Sequence, residues 1–216
     1  MSLALTMGLA IPSTIAILPK AMEDGDRQVV AAVCAGDTVR YAELVTRYQQ
    51  PTLRLAYSLL GNAQDAEEAA QDAFVSAYQA LRSFRRGAKF STWFYRIVVN
   101  KCRDAQRAAS RRPAILALEA GEADDVSLFD VLEDPAAGPS EQAAQRDVAQ
   151  ALTVAIRALP RQQREAVVLH HVHGLPINEA AAAMGCRPGT VKSHLFRAHG
   201  ALRARLSPWL SAEDVT

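Results

Sequence analysis

The chain has 216 residues, of which half are hydrophobic and 22% are charged, and its formal net charge is +1. This length allows one or two small domains, each with its own core. Three distant cysteines without a CxxC pair argue against a disulfide framework and favour a reducing compartment, the cytoplasm. The near-neutral total does not exclude a nucleic-acid partner, because the charge is segregated: +7 over residues 27–112, −7 over 113–146 and +5 over 147–207.

The first predicted element is a flexible N-terminal extension over residues 1–22. Pro12 and Pro19 interrupt its mildly apolar stretch, and Lys20 follows that stretch instead of preceding it. A signal peptide would have the opposite arrangement, and a membrane span would be longer. We therefore expect no membrane insertion. A start codon chosen upstream of a true start at Met22 would explain the same residues.

Four helices are predicted in the first basic segment, and abundant alanine without strand-like alternation favours an all-α fold. A short helix over 26–35 precedes one that ends at Gly61, in which Pro51 introduces a kink or a new turn. Asn62 caps the third helix, which ends near Leu81. A loop with Arg85, Arg86 and Lys89 leads to a fourth helix, which Ser91 caps and which ends near residue 109.

An acidic segment with little periodicity separates these helices from a second helical domain. The second domain is predicted to contain a helix through Leu152 and Ile156, another that starts at Pro160, and a helix-turn-helix. The predicted organisation is an extension over 1–22, a domain over 23–112, an acidic flexible linker over 113–144, a domain over 145–208 and a tail over 209–216.

The helix-turn-helix has the most informative pattern in the chain. Gly185 suits the end of its first helix and Pro188 suits the start of its second. The second helix has an apolar stripe at helical spacing and, opposite it, an arc of cations and hydroxyls. Such a helix fits the major groove of DNA. The stripe comprises Val191, Leu195, Ala198, Leu202 and Leu206, and the arc comprises Lys192, Ser193, Phe196, Arg197, His199 and Arg203.

Two further helices carry candidate binding faces. The third helix places Asp65, Glu68 and Asp72 on one side, which is either a solvated face or a docking surface for a basic partner. The fourth helix combines cations, an amide and a tryptophan beside a basic loop. That combination suits single-stranded nucleic acid, because cations follow the backbone while aromatic rings receive unstacked bases. Its stripe comprises Trp93, Arg96, Asn100, Arg103 and Arg107.

Three strings carry a resemblance to a known family: DAEEAAQDAFVSAYQAL, FRRGAKFSTWFYRIVVNKCRDAQR and ALPRQQREAVVLHHVHGLPINEAAAAMGCRPGTVKSHLFRAHGALRARL. In these strings, their order and the acidic segment between them, the chain resembles bacterial RNA polymerase sigma factors of the extracytoplasmic-function (ECF) group of the sigma-70 family. The resemblance covers about residues 27–206. It implies a region 2 domain followed by a region 4 domain, and a role in transcription initiation by binding, without catalysis or a cofactor.

The resemblance also implies a role for each candidate face. Asp65, Glu68 and Asp72 would dock on the clamp of the polymerase β′ subunit, and the β flap would be a second contact on core polymerase. The acidic linker would follow the RNA path, and an anti-sigma factor is expected as a further partner. The melted −10 strand would meet Lys89, Phe90, Ser91, Trp93, Arg96, Asn100 and Arg103. The −35 duplex would meet Arg187, Thr190, Lys192, Ser193, His194, Phe196 and Arg197.

Some residues depart from that family's pattern or allow another function. Lys192, His194 and His199 stand where arginine is common, and lysine cannot form arginine's bidentate contact with guanine, so the −35 preference is not predicted. One alternative is an autonomous, dimeric helix-turn-helix regulator, which would not need the Trp93 stripe. Another is a helical enzyme using the acidic stripe and the histidines near His170, but no Glu-x-x-His pair or other catalytic motif supports it and no metal site is predicted.

Overall fold

The computed structural model describes residues 22–84, 89–111 and 149–207. All regular structure in these ranges is helical and none is strand, which confirms the all-α prediction. The predictions for most of the N-terminal extension, for Arg85 and Arg86, for the acidic linker and for the tail lie outside the described residues. Within the described ranges, no helix is long and apolar enough to cross a membrane.

Residues 22–111 contain four α-helices. They are α1 (Met22–Cys34), α2 (Tyr41–Leu60), α3 (Ala63–Ala80) and α4 (Phe90–Arg111), with short 3-10 turns at Thr38–Arg40 and Leu81–Ser83. Pro51 lies buried inside an unbroken α2. The first helix begins four residues before the predicted Asp26. The fourth begins one residue before Ser91, because the Lys89 carbonyl already accepts a hydrogen bond from the Trp93 amide.

Residues 149–207 contain four further α-helices. They are α5 (149–157), α6 (Arg161–Val167), α7 (Ile177–Met184) and α8 (Pro188–Leu206). Helix α6 continues into a wider π-helical turn, Val168–Val172, in which the His173 amide donates to the Val168 carbonyl. Helices α7 and α8 form the predicted helix-turn-helix, and Gly185 ends α7 in the left-handed conformation with φ 71°.

The core of residues 22–111 combines aromatic rings with alanines. Tyr48 of α2 and Phe94 of α4 are fully buried and their ring centroids lie 5.7 Å apart. Alanine side chains let α3 approach both helices closely, since they add little bulk beyond the helix backbone. The buried side of α3 and of the 3-10 turn that follows it is the predicted one: Ala66, Ala70, Ala73, Ala77 and Leu81.

The two ends of the α2–α3 connection hold both helices in place. Gly61 ends α2 in the left-handed conformation with φ 77°, which glycine adopts without strain. Asn62 then caps α3 as predicted, because its side-chain oxygen accepts the Asp65 amide at 2.9 Å. This short connection fixes the direction of α3, and therefore of its acidic side.

The substitution Asn62→Ala should lower the free energy of unfolding by about 1 kcal/mol, because the Asp65 amide loses its cap. Chemical denaturation of the full-length chain measures the change. Gln71→Ala, at an exposed position within the same helix, is the control and should leave stability nearly unchanged. Equal unfolding free energies for the two variants would contradict the capping role.

Candidate nucleic-acid interface

The outer face of α8 lies on the surface, as the sequence predicts. Val191, Leu195 and Ala198 bury the inner side of the helix. The helix begins at Pro188, in its first turn, after Arg187, whose backbone is extended. The Phe196 ring is 81% exposed, so it does not pack into the core and is available to a partner. The other exposed predicted residues are Arg187, Thr190, Lys192, Ser193, Arg197 and Arg203.

The two histidines of α8 are less exposed than the other residues of its outer face. His194 is half-buried, and the His199 Nε2 atom lies 2.9 Å from the His171 Nε2 atom. Burial, with help from neighbouring histidines, lowers the pKa of His171 to about 4 and also lowers the pKa of His199. His199 therefore belongs to an internal contact, which corrects its predicted place on the DNA-facing arc.

The aromatic residues of α4 form a layered support. Phe90 is 3% exposed and stacks on Phe94, with centroids 5.7 Å apart and ring planes 9° apart. Trp93 is half-buried against Phe84 and Phe90, at centroid distances of 5.1 and 5.7 Å. The structure therefore places Phe90 beneath the face and Trp93 at its rim. Arg96 and Asn100 are exposed beside Trp93, and Ser91 is half-buried.

Two cations predicted to meet DNA contact acidic side chains of the second domain. Arg103 donates from Nε to one Glu165 oxygen at 3.0 Å and from Nη2 to the other at 2.6 Å, which is a bidentate pair. The same Nη2 also donates to the Met184 carbonyl at 3.0 Å. Glu165 is 2% exposed, and its hydrogen bonds raise the pKa of Arg103. Near the start of α4, Lys89 Nζ lies 2.8 Å from Glu179, and Thr92 donates to the same carboxylate at 3.0 Å.

Further contacts extend this interface between the domains. Helix α7 packs along α4, and His173, 2% exposed, lies with its ring centroid 6.3 Å from that of Tyr95. Neither His173 ring nitrogen has a hydrogen-bond partner in the part of the chain that the structure describes. At the end of α2, the Arg157 guanidinium lies over the Tyr57 ring, 5.2 Å from its centroid. The buried residues of both domains form one continuous cluster.

The acidic side of α3 lies apart from this interface. Glu68 and Asp72 are exposed, and Asp65 is half-buried in the first turn. Gln64 Nε2 lies 3.4 Å from Glu68, and Asp72 lies 3.5 Å from Lys101 of α4 while its side chain stays 69% exposed. These contacts are weak, so the carboxylates remain available to a basic surface.

The sequence did not predict that the two domains would meet. Residues 149–207 contain eight basic residues and two acidic ones, Glu165 and Glu179, and both acids contact the first domain. The presence of acidic residues in so basic a segment was the sequence signal that could have indicated a contact with another basic surface. Its spatial partner could not be inferred, because the residues joining the domains have little periodicity.

The histidines considered for a metal site have other contacts. His170 Nδ1 lies 2.7 Å from the Leu175 carbonyl, His171 contacts His199, and His173 lies against Tyr95. No group of three or more possible ligands that could hold a metal ion occurs within residues 22–84, 89–111 and 149–207.

Fold and site together define an all-helical protein with a helix-turn-helix whose outer face is exposed and cationic. Comparison with known families agrees: Sigma-70 region 2 matches residues 44–112, and Sigma-70 region 4 matches residues 149–202. The chain belongs to the sigma-70 family of RNA polymerase sigma factors, within its ECF group. It is an alternative sigma factor of transcription initiation, a process in which sigma factors bind core RNA polymerase and promoter DNA.

Similar proteins align over nearly their whole length. The RNA polymerase sigma-H factor of Pseudomonas aeruginosa is 36% identical over 193 residues, which are 87% of this chain and 97% of that protein. The ECF RNA polymerase sigma-E factor of Escherichia coli K12 is 34% identical over 183 residues, 85% of this chain and 95% of that protein.

Two solved structures are similar in fold. CnrH in complex with the cytosolic domain of CnrY matches with a TM-score of 0.60 and 27% identity, over 85% of this chain and 97% of that one. The sigma factor RpoE of Bartonella quintana, in complex with the anti-sigma factor NepR, matches with a TM-score of 0.57 and 26% identity. That match covers 76% of this chain and 97% of the other.

The buried His173 makes the stability of the folded chain depend on pH. Burial lowers the pKa of His173 from 6.5 to about 4, with a smaller contribution from Arg54. In the unfolded chain this imidazole binds a proton as the pH falls below about 6.5. Because the folded chain binds it only near pH 4, stability is lost as the pH falls from 6.5 toward 4, and no loss occurs above that window.

The substitution His173→Phe should remove this part of the pH dependence. Between pH 7.5 and 5.0, the wild type should lose about 2 kcal/mol more unfolding free energy than the variant. Urea denaturation at both pH values measures the difference. Gln71→Ala, at an exposed position of α3, is the control and should retain the wild-type slope. A slope that is unchanged in His173→Phe would contradict the assignment.

Proposed function

We propose that the two cationic faces divide promoter recognition between duplex and single-stranded DNA. The observation that carries this proposal is their placement on different helices: Lys192 and Arg197 on α8, and Trp93, Arg96 and Asn100 on α4. The α8 face would read the −35 element in the major groove, with Arg187 and Thr190 on phosphates. The α4 face would hold the −10 strand once it is unpaired.

The α4 face would act by trapping an unstacked strand. An unpaired base binds at the rim formed by Trp93, and Arg96 and Asn100 contact the adjacent backbone. Ser91, Lys89 and Arg103 extend the same face. Phe90 would act through the support that it gives Trp93, because its own ring is buried. Binding an unpaired strand shifts the promoter toward its open state without any chemical step. We therefore propose that the protein acts without catalysis, and in the cytoplasm, where bacterial transcription takes place.

The acidic side of α3 is the proposed contact with core polymerase. Glu68 and Asp72 are exposed and Asp65 joins them on the same helix, so the three carboxylates could meet a basic surface on the β′ clamp. The proposed domains are region 2 over 23–112 and region 4 over 145–208, with the acidic linker over 113–144. The similar structures of CnrH with CnrY and of RpoE with NepR support an anti-sigma factor as a further partner.

Arg197→Ala should weaken discrimination at one −35 position by about 1–3 kcal/mol, because a direct base contact is lost. Run-off transcription with core polymerase over a library of −35 sequences measures this discrimination. Arg205→Ala, an exposed cation at the end of α8, is the control and should leave the preferred sequence unchanged. An identical −35 preference in Arg197→Ala and the wild type would exclude base reading by Arg197.

Trp93→Ala should bind core polymerase normally but open promoters less well, because a stacked base is worth about 1–3 kcal/mol. Permanganate reactivity of the −10 thymines reports opening, and co-elution with core polymerase reports binding. Phe84→Leu, which retains an apolar side chain beneath the tryptophan, controls for a general loss of packing. Normal thymine reactivity in Trp93→Ala would refute strand capture by this residue.

A further inference from the structure

Two imidazole rings face each other between the π-helical turn Val168–Val172 and α8. The Nε2 atoms of His171 and His199 lie 2.9 Å apart, and the ring centroids lie 5.0 Å apart. A contact of this length between two ring nitrogens needs a hydrogen atom between them, because two lone pairs would repel each other. Both side chains are half-buried, so the pair is within reach of solvent. A metal ion can take the position of that hydrogen.

The separation of the two nitrogens fits two ligands of one metal ion. Bonds from an imidazole nitrogen to a divalent transition-metal ion are about 2.0–2.1 Å long, so two bonds at a right angle hold their nitrogens about 2.9 Å apart. A tetrahedral angle would hold them about 3.4 Å apart. The observed 2.9 Å therefore matches neighbouring positions of a square-planar or octahedral ion. Among the ions that imidazole binds well, Ni²⁺ and Cu²⁺ have such geometry, whereas Zn²⁺ prefers the tetrahedron.

Both ligands lie on helical elements whose relative position is fixed by packing. His171 belongs to the π-helical turn, in which the His173 amide donates to the Val168 carbonyl at 2.9 Å. Such turns are rare and frequently occur at functional sites. His199 lies 28 residues later on α8, a helix that packs against α6 and buries the neighbouring Ala198. A site carried by two packed elements holds its ligands more rigidly than a loop does.

A third imidazole lies beside the pair. The His170 ring centroid is 4.8 Å from that of His171. His170 Nδ1 lies 2.7 Å from the Leu175 carbonyl, which can only accept, so this nitrogen carries the hydrogen and the lone pair is on Nε2. His170 is a neighbour and not a ligand, since no group of three or more possible ligands occurs in the three described ranges. With two protein ligands and water at the other positions, a bound ion would exchange readily.

We propose that His171 and His199 form a two-histidine site for a divalent transition-metal ion with square-planar or octahedral coordination, the class of Ni²⁺ and Cu²⁺. When the ion binds, the hydrogen between the rings moves from Nε2 to Nδ1 of its own ring. Both imidazoles then stay neutral, and each offers an Nε2 lone pair. The bound ion links the π-helical turn to α8 and so limits the movement of the helix that carries the exposed Lys192 and Arg197. This site does not depend on the roles proposed for α4 and α8.

The test measures metal binding by the full-length protein without an affinity tag, because a polyhistidine tag would bind the same ions. Isothermal titration calorimetry at about pH 7.5, where free imidazole is mostly neutral, uses Ni²⁺ as the probe. Cu²⁺ is avoided because it would oxidise the three cysteines. Mg²⁺, which prefers oxygen ligands, is the reference for attraction by charge alone. The variants are H171Q and H199Q, and the matched control is H194Q, which removes another half-buried histidine of α8.

The wild type should bind Ni²⁺ at one site. H171Q and H199Q should each bind it about 100-fold more weakly, because the second histidine meets an ion already held by the first at a high effective concentration. H194Q should match the wild type, and Mg²⁺ should give no saturable binding. Equal Ni²⁺ affinity in the wild type, H171Q and H199Q would show an adventitious ion only and would overturn the site.

X-ray absorption at the nickel edge tests the site without any substitution, so a misfolded variant cannot obscure the result. The wild-type complex should show two imidazole ligands, and a spectrum with fewer would contradict the proposal. Urea denaturation measures the link between the helices, because an ion that binds only the folded chain raises its stability. Ni²⁺ should raise the unfolding midpoint of the wild type and of H194Q but not that of H199Q. An equal rise in H199Q would overturn the assignment of His199 as a ligand.

Discussion

The bidentate pair between Arg103 and Glu165 determines which surfaces of this molecule are available. It joins α4 to α6 through a carboxylate that is 2% exposed, where a lone charge would be costly. Glu165 has few other sources of compensation, since its nearest further cation, Arg161, is 3.7 Å away. Without Arg103, Glu165 would keep only the longer contact with Arg161 as compensation for its buried charge. The pair is therefore a structural contact made by a residue that we also propose for strand capture.

The sequence predicted the helices well, because their signals are local. The Asn62 cap, the Gly61 and Gly185 terminators and the alanine side of α3 all depend on residues within a few positions of one another. The small errors lie at helix ends, as where the bond from the Trp93 amide to the Lys89 carbonyl starts α4 before the predicted Ser91 cap. The exposed face of α8 was predictable for the same reason, since its stripe of buried residues defines the opposite side.

The parts of the candidate site that the sequence did not reveal depend on distant contacts. His199 has helical spacing consistent with the outer arc, yet it turns toward His171, 28 residues earlier in the chain. Phe90 and Trp93 are three residues apart in one aromatic cluster and both contact Phe84, but Phe90 also packs against Phe94 and Tyr48, and its ring is the buried one. Periodicity assigns a residue to a side of a helix and does not say what covers that side.

The packing of the two domains brings together the two basic segments of the chain. Two basic domains repel each other, and the few acids of the second domain offset that repulsion only where they meet Lys89 and Arg103. Residues 112–148 join the domains covalently, so their contact is intramolecular. The fraction of molecules in which the domains touch therefore depends on the effective concentration of one domain near the other, and not on the protein concentration. An interface with one buried pair at Glu165 and one partly exposed pair at Glu179 can then stay closed without the strength that two separate chains would need.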